Sequence, residues 1–391
     1  MNSLLGFVLV ILAVWAGVLA AFARPIAARW REPVLKCPVL AIESDDWGAG
    51  PLAQAEVLAQ LKDMLAGLRD VAGRPALMTL GVVMEVPDGP RIAAGGCVRY
   101  HGSGLAGQSF EAVRIAMHEG IAAGVFVPQL HGQSHYWPGA VLQAAQSDAT
   151  VRDWLTGAAP ACSEALPSHL QSRWVDASRL PSRTLDAASI RHAVMTEAAG
   201  WRALFDSAPE VAVATTFVWN DMVEAAWREA GVAAVITPGR RATCRDATGR
   251  PGCEDRAMLT GDESPSGLMY LVRDVYFEPA RGHLPTRLVE GLAMRTRQGR
   301  ACLVETHRFN FLEQPEASLA ALRMALAAAH ASHPDLRYLA PRELAQAIRV
   351  RDPAWIEHRL SRRMRALRAR LAEIPRFART ARWSGLGWVL A

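Results

Sequence analysis

At 391 residues, 51% apolar and 21% charged, the chain has room for one large α/β domain plus extras, and wholesale disorder is excluded. Its net charge of +5 does not argue for nucleic acid, because residues 351–391 hold ten Arg against Asp352, Glu357 and Glu373, leaving the first 350 residues at about −2. The six Cys (Cys37, Cys97, Cys162, Cys244, Cys253 and Cys302) form no C-x-x-C pair, which excludes a zinc ribbon; Cys244 and Cys253 flank a Gly/Pro-containing loop and could bridge in an oxidising compartment.

Residues 1–23 carry no charged side chain and have about the length a helix needs to cross a bilayer. An uncleaved transmembrane anchor is favoured over a signal peptide, since no Lys or Arg precedes an apolar run that is long for a signal. Arg24, Arg29, Arg31 and Lys36 follow in a basic linker, 24–36. By the positive-inside rule they put the body on the cytoplasmic side, with the periplasmic side left open. Short apolar runs then recur at 39–44, 76–84, 125–130, 211–217, 233–237, 268–272, 301–306 and 337–339. Amphipathic stretches lie between them, such as 52–68, 221–230 and 318–330. Strands alternating with helices predict a parallel sheet, and about seven or eight of them a (β/α) barrel over 37–350 with an insertion around 141–199. Residues 355–374 predict a basic helix with Leu360, Met364, Leu367 and Leu371 at helical spacing; Phe377, Trp383, Leu386, Trp388 and Val389 follow among further Arg. The tail, 351–391, reads as a segment for the membrane interface and its anionic lipid, with a helix packed on the barrel as the alternative.

Chemistry gathers where three apolar runs end. The first ends in Glu43-Ser44-Asp45-Asp46-Trp47-Gly48, two adjacent carboxylates that a cation or a shared proton would have to relieve. The second ends in His131-Gly132-Gln133-Ser134-His135, two imidazoles four apart that meet if the segment makes one helical turn. With Asp46 they make a two-nitrogen, one-oxygen donor set, the form of a catalytic divalent site. The third ends in Glu305-Thr306-His307-Arg308, where His307 is placed as a general acid.

In these motifs, and in their order over residues 36–349, the chain resembles the polysaccharide deacetylases, the carbohydrate esterase group with chitooligosaccharide-deacetylase homology. The resemblance implies a distorted (β/α) barrel, Asp45 as catalytic base, Asp46, His131 and His135 as ligands of a divalent metal, most simply Zn2+, and His307 as acid. It implies removal of an N-acyl group, acetyl or formyl, from an amino sugar in a polysaccharide or lipid-linked glycan at the membrane. Departures mark a divergent member. Trp47 is inserted before Gly48, Gly132 replaces a hydroxyl, and Thr215-Thr216-Phe217-Val218-Trp219-Asn220 stands where an Arg-x-Pro-aromatic motif would supply the partner of the base. Arg273 and Arg308 are candidate substitutes. Trp47, Tyr136, Trp137, Trp219 and Tyr276 are candidates for stacking on a sugar, with core packing as the alternative. Two competing readings are a glycoside hydrolase using Glu43 and Asp45, and a non-catalytic glycan-binding membrane protein.

Overall fold

The apolar runs become strands of one parallel sheet in the computed structural model, which describes residues 2–255 and 257–387. The strands are β1 (Val39–Gly48), β2 (Met78–Val83), β3 (Phe126–Gly132), β4 (Val211–Val213), β5 (Ala234–Thr237), β6 (Met269–Val272), β7 (Val275–Tyr276) and β8 (Cys302–His307), with β9 (Arg337–Tyr338) paired to the start of β1. Their order is β6-β5-β4-β3-β2-β1-β8-β7. The two end strands are consecutive in the chain, separated by Arg273 and Asp274 alone. Those residues span at most about 11 Å. The sheet therefore curls into a distorted barrel, closed by one segment whose first half bonds β5 and whose second half bonds β8.

Side-chain alternation sorts the barrel into layers. Leu40 and Ile42 face the surrounding helices, while Val39 and Ala41 face inward with Val213, Ile236, Leu271 and Leu303. The same period carries Glu43, Asp45, Arg273 and Glu305 into the upper interior, above this apolar floor. Leu344 and Ala345 of the helix Pro341–Arg349 close the floor with Ile356. One expected strand ends early, and one short strand is added. The run 211–217 stops at Val213 and turns through Thr216 and Phe217, both at positive φ, while the segment after 272 resumes as β7.

At the N-terminal end, α1 (Asn2–Ala21) is followed by α2 (Ala23–Arg31), so most of the expected linker 24–36 is helical. Among the described residues no single helix is long and apolar enough to cross a membrane. The pair Leu5–Ala21 and Ala23–Arg31, bent by 65°, passes that test together. Leu5, Phe7, Leu9, Val10, Leu12 and Val14 are exposed along α1. The tail forms α3 (Leu360–Leu371) and α4 (Pro375–Trp383); Trp388 and Val389 lie outside the described residues. Both tail helices pack on the N-terminal pair, with Leu367, Leu371, Phe377 and Ala381 against Val18, Phe22, Ile26 and Trp30.

Arg370 locks this joint. It is buried and donates to the carbonyls of Arg29, Glu32 and Pro33 at 2.7–3.0 Å, oxygens at or just past the end of α2 that have no partner within it. It also donates to Gln298 of the barrel at 2.7 Å. Beside it Glu373 receives Arg295 at 2.7 Å and Arg300 at 2.6 Å. Burial pushes the Glu373 carboxyl up, but the two guanidinium groups, Arg300 foremost, bring it below its ordinary value. A lowered folded value means the contribution is full above about pH 4.5 and fades as pH falls through the folded value. Thermal unfolding should thus show the Glu373→Gln loss at pH 7 shrinking toward pH 3. Arg370→Ala, which strands several buried carbonyls, should cost about 2–4 kcal/mol.

Candidate active site

The site begins with an irregularity in β1. Between Ser44 and Trp47 the register against β2 slips by one residue, and Asp46 takes a positive φ of 74°. In a regular strand Asp45 and Asp46 would point to opposite faces; the bulge turns both into one cavity. It also sends Trp47 outward into the core, where its ring lies against Phe311 and its N–H donates to Ser44 Oγ at 2.8 Å. Gly81 on β2 completes the space, since a Cβ there would collide with Asp45 Oδ1.

Asp46, His131 and His135 converge. Asp46 Oδ1 lies 3.4 Å from His131 Nε2 and 3.2 Å from His135 Nε2, and all three residues are buried. His131 Nδ1 meets the Val213 carbonyl at 3.0 Å; this fixes Nδ1 as the protonated nitrogen and aims Nε2 at Asp46. The second imidazole arrives through a bend rather than the expected helical turn, with Ser134 held by Arg173 at 2.7 Å. Burial, with the neighbouring imidazole, holds His135 near 4 despite Asp46. Burial opposes charge on His131 too, yet Asp45 and Asp46 raise it. Asp46 itself is held far below its usual value: burial opposes this, and His135 and His131 prevail. Asp46 Oδ1 has no hydrogen-bond partner. An orphaned carboxylate oxygen and two imidazole nitrogens within 4.8 Å of one another fit a divalent cation.

The missing motif Arg is replaced by Arg273, which reaches in from the gap between β6 and β7. It is fully buried and meets Asp45 Oδ2 at 2.6 Å, Glu305 Oε2 at 3.2 Å and Glu43 Oε2 at 3.6 Å. Burial pushes Asp45 up, but Arg273, with His131 and His307, brings it below its ordinary value. Glu43 stays near 7, because burial outweighs Arg273 and the hydrogen bond from Gln129. It lies beneath Asp45 and does not border the cavity.

His307 faces this group from β8, paired with Asp45 in register. Its Nδ1 meets Glu278 Oε1 at 2.6 Å. Burial would lower the imidazolium; the bonded Glu278, with Asp46 and Glu305, raises it to about 10. Glu278 is also held by Asn310. The cavity measures about 210 Å³, and Glu164, from the insertion, closes one side. Arg308 does not border the cavity. It is buried and holds Glu164 at 3.0 and 3.1 Å.

Of the rings weighed for stacking or for core packing, most prove to be packing residues. Trp47, Tyr136 and Trp219 are fully buried packing residues, Trp137 is half-buried against the core, and neither it nor Tyr276 lines the cavity. Phe217 and Phe309 border it instead. Glu278, Glu164 and the two phenylalanines escaped the sequence reading: Phe217 ends the run 211–217 and reads as strand, the others sit outside any run, and only the fold brings them to the cavity.

No protein-family model matches the chain, and no curated protein matches it. Among solved structures, a family 4 carbohydrate esterase from Streptomyces lividans, in complex with acetate, is 12% identical, covering 77% of this chain and 91% of its own, with a TM-score of 0.36. A candidate polysaccharide deacetylase from Mycobacterium smegmatis is 14% identical, covering 82% and 94%, at 0.42. A 4-alpha-glucanotransferase from Thermococcus litoralis is 10% identical at 0.38; the match covers 81% of this chain and 40% of that longer one. The functional reading therefore rests on the site's own residues.

Arg273→Met should leave three inward carboxylates unneutralised and lower stability by about 3–5 kcal/mol, read by chemical denaturation. Gly81→Ala should displace Asp45 and reduce turnover about 100-fold, with a much smaller loss of metal affinity by calorimetry.

Proposed function

We propose that the chain is a metal-dependent hydrolase of the polysaccharide deacetylase type, removing an acetyl or formyl group from the nitrogen of an amino sugar in a polysaccharide or lipid-linked glycan. One observation carries this reading: a converging two-nitrogen, one-oxygen donor set lies beside an Arg-held carboxylate and a carboxylate-held imidazolium. A divalent ion, zinc by the chemistry of its donors, would sit between Asp46, His131 and His135 and supply Lewis acidity toward an amide oxygen and an acidified water.

The chain's own groups divide the proton transfers. Asp45 is ionised, and Arg273 occupies its Oδ2, so the unpartnered Oδ1 takes the proton of the attacking water. Amide hydrolysis also needs an acid, because the amine leaves only once protonated. His307 holds a proton past neutrality, and with Nδ1 committed to Glu278 it delivers that proton from Nε2. The glycosidase alternative is disfavoured by the burial of Glu43 away from the cavity. A purely glycan-binding barrel has no need of this arrangement.

We further propose that α1 anchors the protein in a membrane, on the strength of its uncovered apolar side chains. The Arg gathered at the C-terminal end of α1 favour a cytoplasmic body. The Cys244–Cys253 bond, with Cα atoms 5.9 Å apart, is the opposing signal, since such bonds persist in oxidising compartments. A C-terminal fluorescent-protein or alkaline-phosphatase fusion decides, and fluorescence is expected.

Metal analysis of the purified protein should find about one divalent ion per chain, and chelation should abolish acetate or formate release from N-acylated oligosaccharides. Asp45→Asn should lose about 1,000-fold in turnover while keeping the metal, whereas His131→Ala should lose the metal. An unimpaired Asp45→Asn enzyme would sink the assignment. Glu278→Gln should move the alkaline limb of the pH–rate profile down by at least about one unit, because His307 then surrenders its proton earlier.

A further inference from the structure

The inner faces of α3 and α4 are occupied, but their outer faces are not. Arg362, Arg365, Arg368, Arg376, Arg379 and Arg382 are all exposed, and among the described residues the only ion pair recorded for them is that of Arg362 with Glu357, at 3.3 Å. Trp383, 86% exposed, stands among them. This surface has a fixed place relative to α1. Trp15 Nε1 donates to the Ser384 carbonyl at 2.8 Å, and Phe22 meets Phe377 edge-on at 5.4 Å. The end of α4 therefore lies level with Trp15, next to the uncovered apolar run from Leu5 to Val14 of α1. A basic face carrying an exposed Trp, continuous with an uncovered apolar helix, has the composition of a membrane-interface segment.

We propose that the outer face of α3 and α4 is a docking surface for anionic phospholipid, with Trp383 entering the interface and the arginines lying on the headgroups. This deepens, and rests on, the reading of α1 as a membrane anchor. The apolar helix supplies insertion into any bilayer; the collar adds a preference for negative charge, about fivefold per arginine at the surface. Apart from Glu357 on Arg362, the protein offers these arginines little opposite charge: Glu32 and Glu373, at the joint, are committed to Arg300 and Arg295. Arg363 and Arg370 do not take part. Arg363 lies over Trp30 at 4.6 Å, and Arg370 is buried at the joint.

The test uses the full chain with vesicles of phosphatidylcholine alone or with about 30 mol% phosphatidylglycerol, in about 0.1 M salt. Trypsin cleavage after the exposed tail arginines is followed by mass spectrometry. Cleavage should be about tenfold slower with phosphatidylglycerol, and the protection should vanish at about 0.5 M salt. In the variant R365E/R368E/R376E/R379E, whose sites are all exposed, cleavage at Arg362 and Arg382 should proceed alike in both vesicles, with unchanged helicity by circular dichroism. Equal wild-type rates in the two vesicles overturn the proposal, as does protection by added duplex RNA but not by phosphatidylglycerol. Flotation with pure phosphatidylcholine vesicles after a high-salt wash reads the anchor separately. Flotation without lipid-dependent protection refutes the collar alone, and protection without flotation refutes the anchor alone.

Discussion

One buried guanidinium reconciles the inside of this barrel with its chemistry. The alternation that buries Val39 and Ala41 carries Glu43 and Asp45 inward, and the alternation that buries Leu303 carries Glu305 inward. Three carboxylates brought together out of water repel one another and lose their hydration. Arg273 arrives by the same rule, next inward after Met269 and Leu271, and meets all three. It stands where the closing segment leaves β5 and joins β8. The residue that neutralises the interior is thus also at the seam of the sheet, and the closure places it beside Asp45.

That arrangement gives two adjacent aspartates separate electrostatic lives. The bulge delivers both to one cavity, but Asp45 faces a guanidinium and Asp46 faces two imidazoles. On the neighbouring strand His307 is held by a third party, Glu278. Ionisable groups a few ångströms apart can hold distinct protonation states only if each has its own counter-charge. Here a carboxylate kept ionised stands beside an imidazole kept protonated, and next to them one carboxylate and two imidazoles converge. That donor set is what the proposed divalent ion would occupy.

The parallel sheet was largely legible because its strands are buried on both faces and read as near-continuous apolar runs. Its interruptions were not. The turn through Thr216 and Phe217 and the resumption of the chain as β7 after the expected end at Val272 depend on neighbours distant in sequence. Asp45, Asp46, His131, His135 and His307 could be picked out because each closes an apolar run, and strand ends share one mouth. Facing direction could not be picked out. A one-residue bulge reverses the face of everything after it, so Trp47, read as lining the mouth, belongs to the core. The substitute for the missing motif Arg was narrowed to Arg273 and Arg308, and only packing separates them: Arg308 turns beneath Gly50 to hold Glu164.

The tail shows why composition alone misplaces a helical face. The apolar residues Leu360, Met364, Leu367 and Leu371 suggest one buried stripe, yet Leu360 is 65% and Met364 38% exposed. The stripe that packs is Arg363, Ala366, Leu367, Arg370 and Leu371, with two arginines inside it. Both are there for reasons local sequence cannot display: an aromatic ring on α2 for Arg363, and the unpaired carbonyls at the end of α2 for Arg370. A buried guanidinium with several acceptors is tolerable, whereas the same carbonyls without it are orphaned. Helix α2 and the tail therefore complete each other's hydrogen bonding and must assemble together. The arginines left exposed recur three apart on each helix, at 362, 365 and 368 and at 376, 379 and 382, so the packing of the inner faces leaves the positive charge on the outer ones.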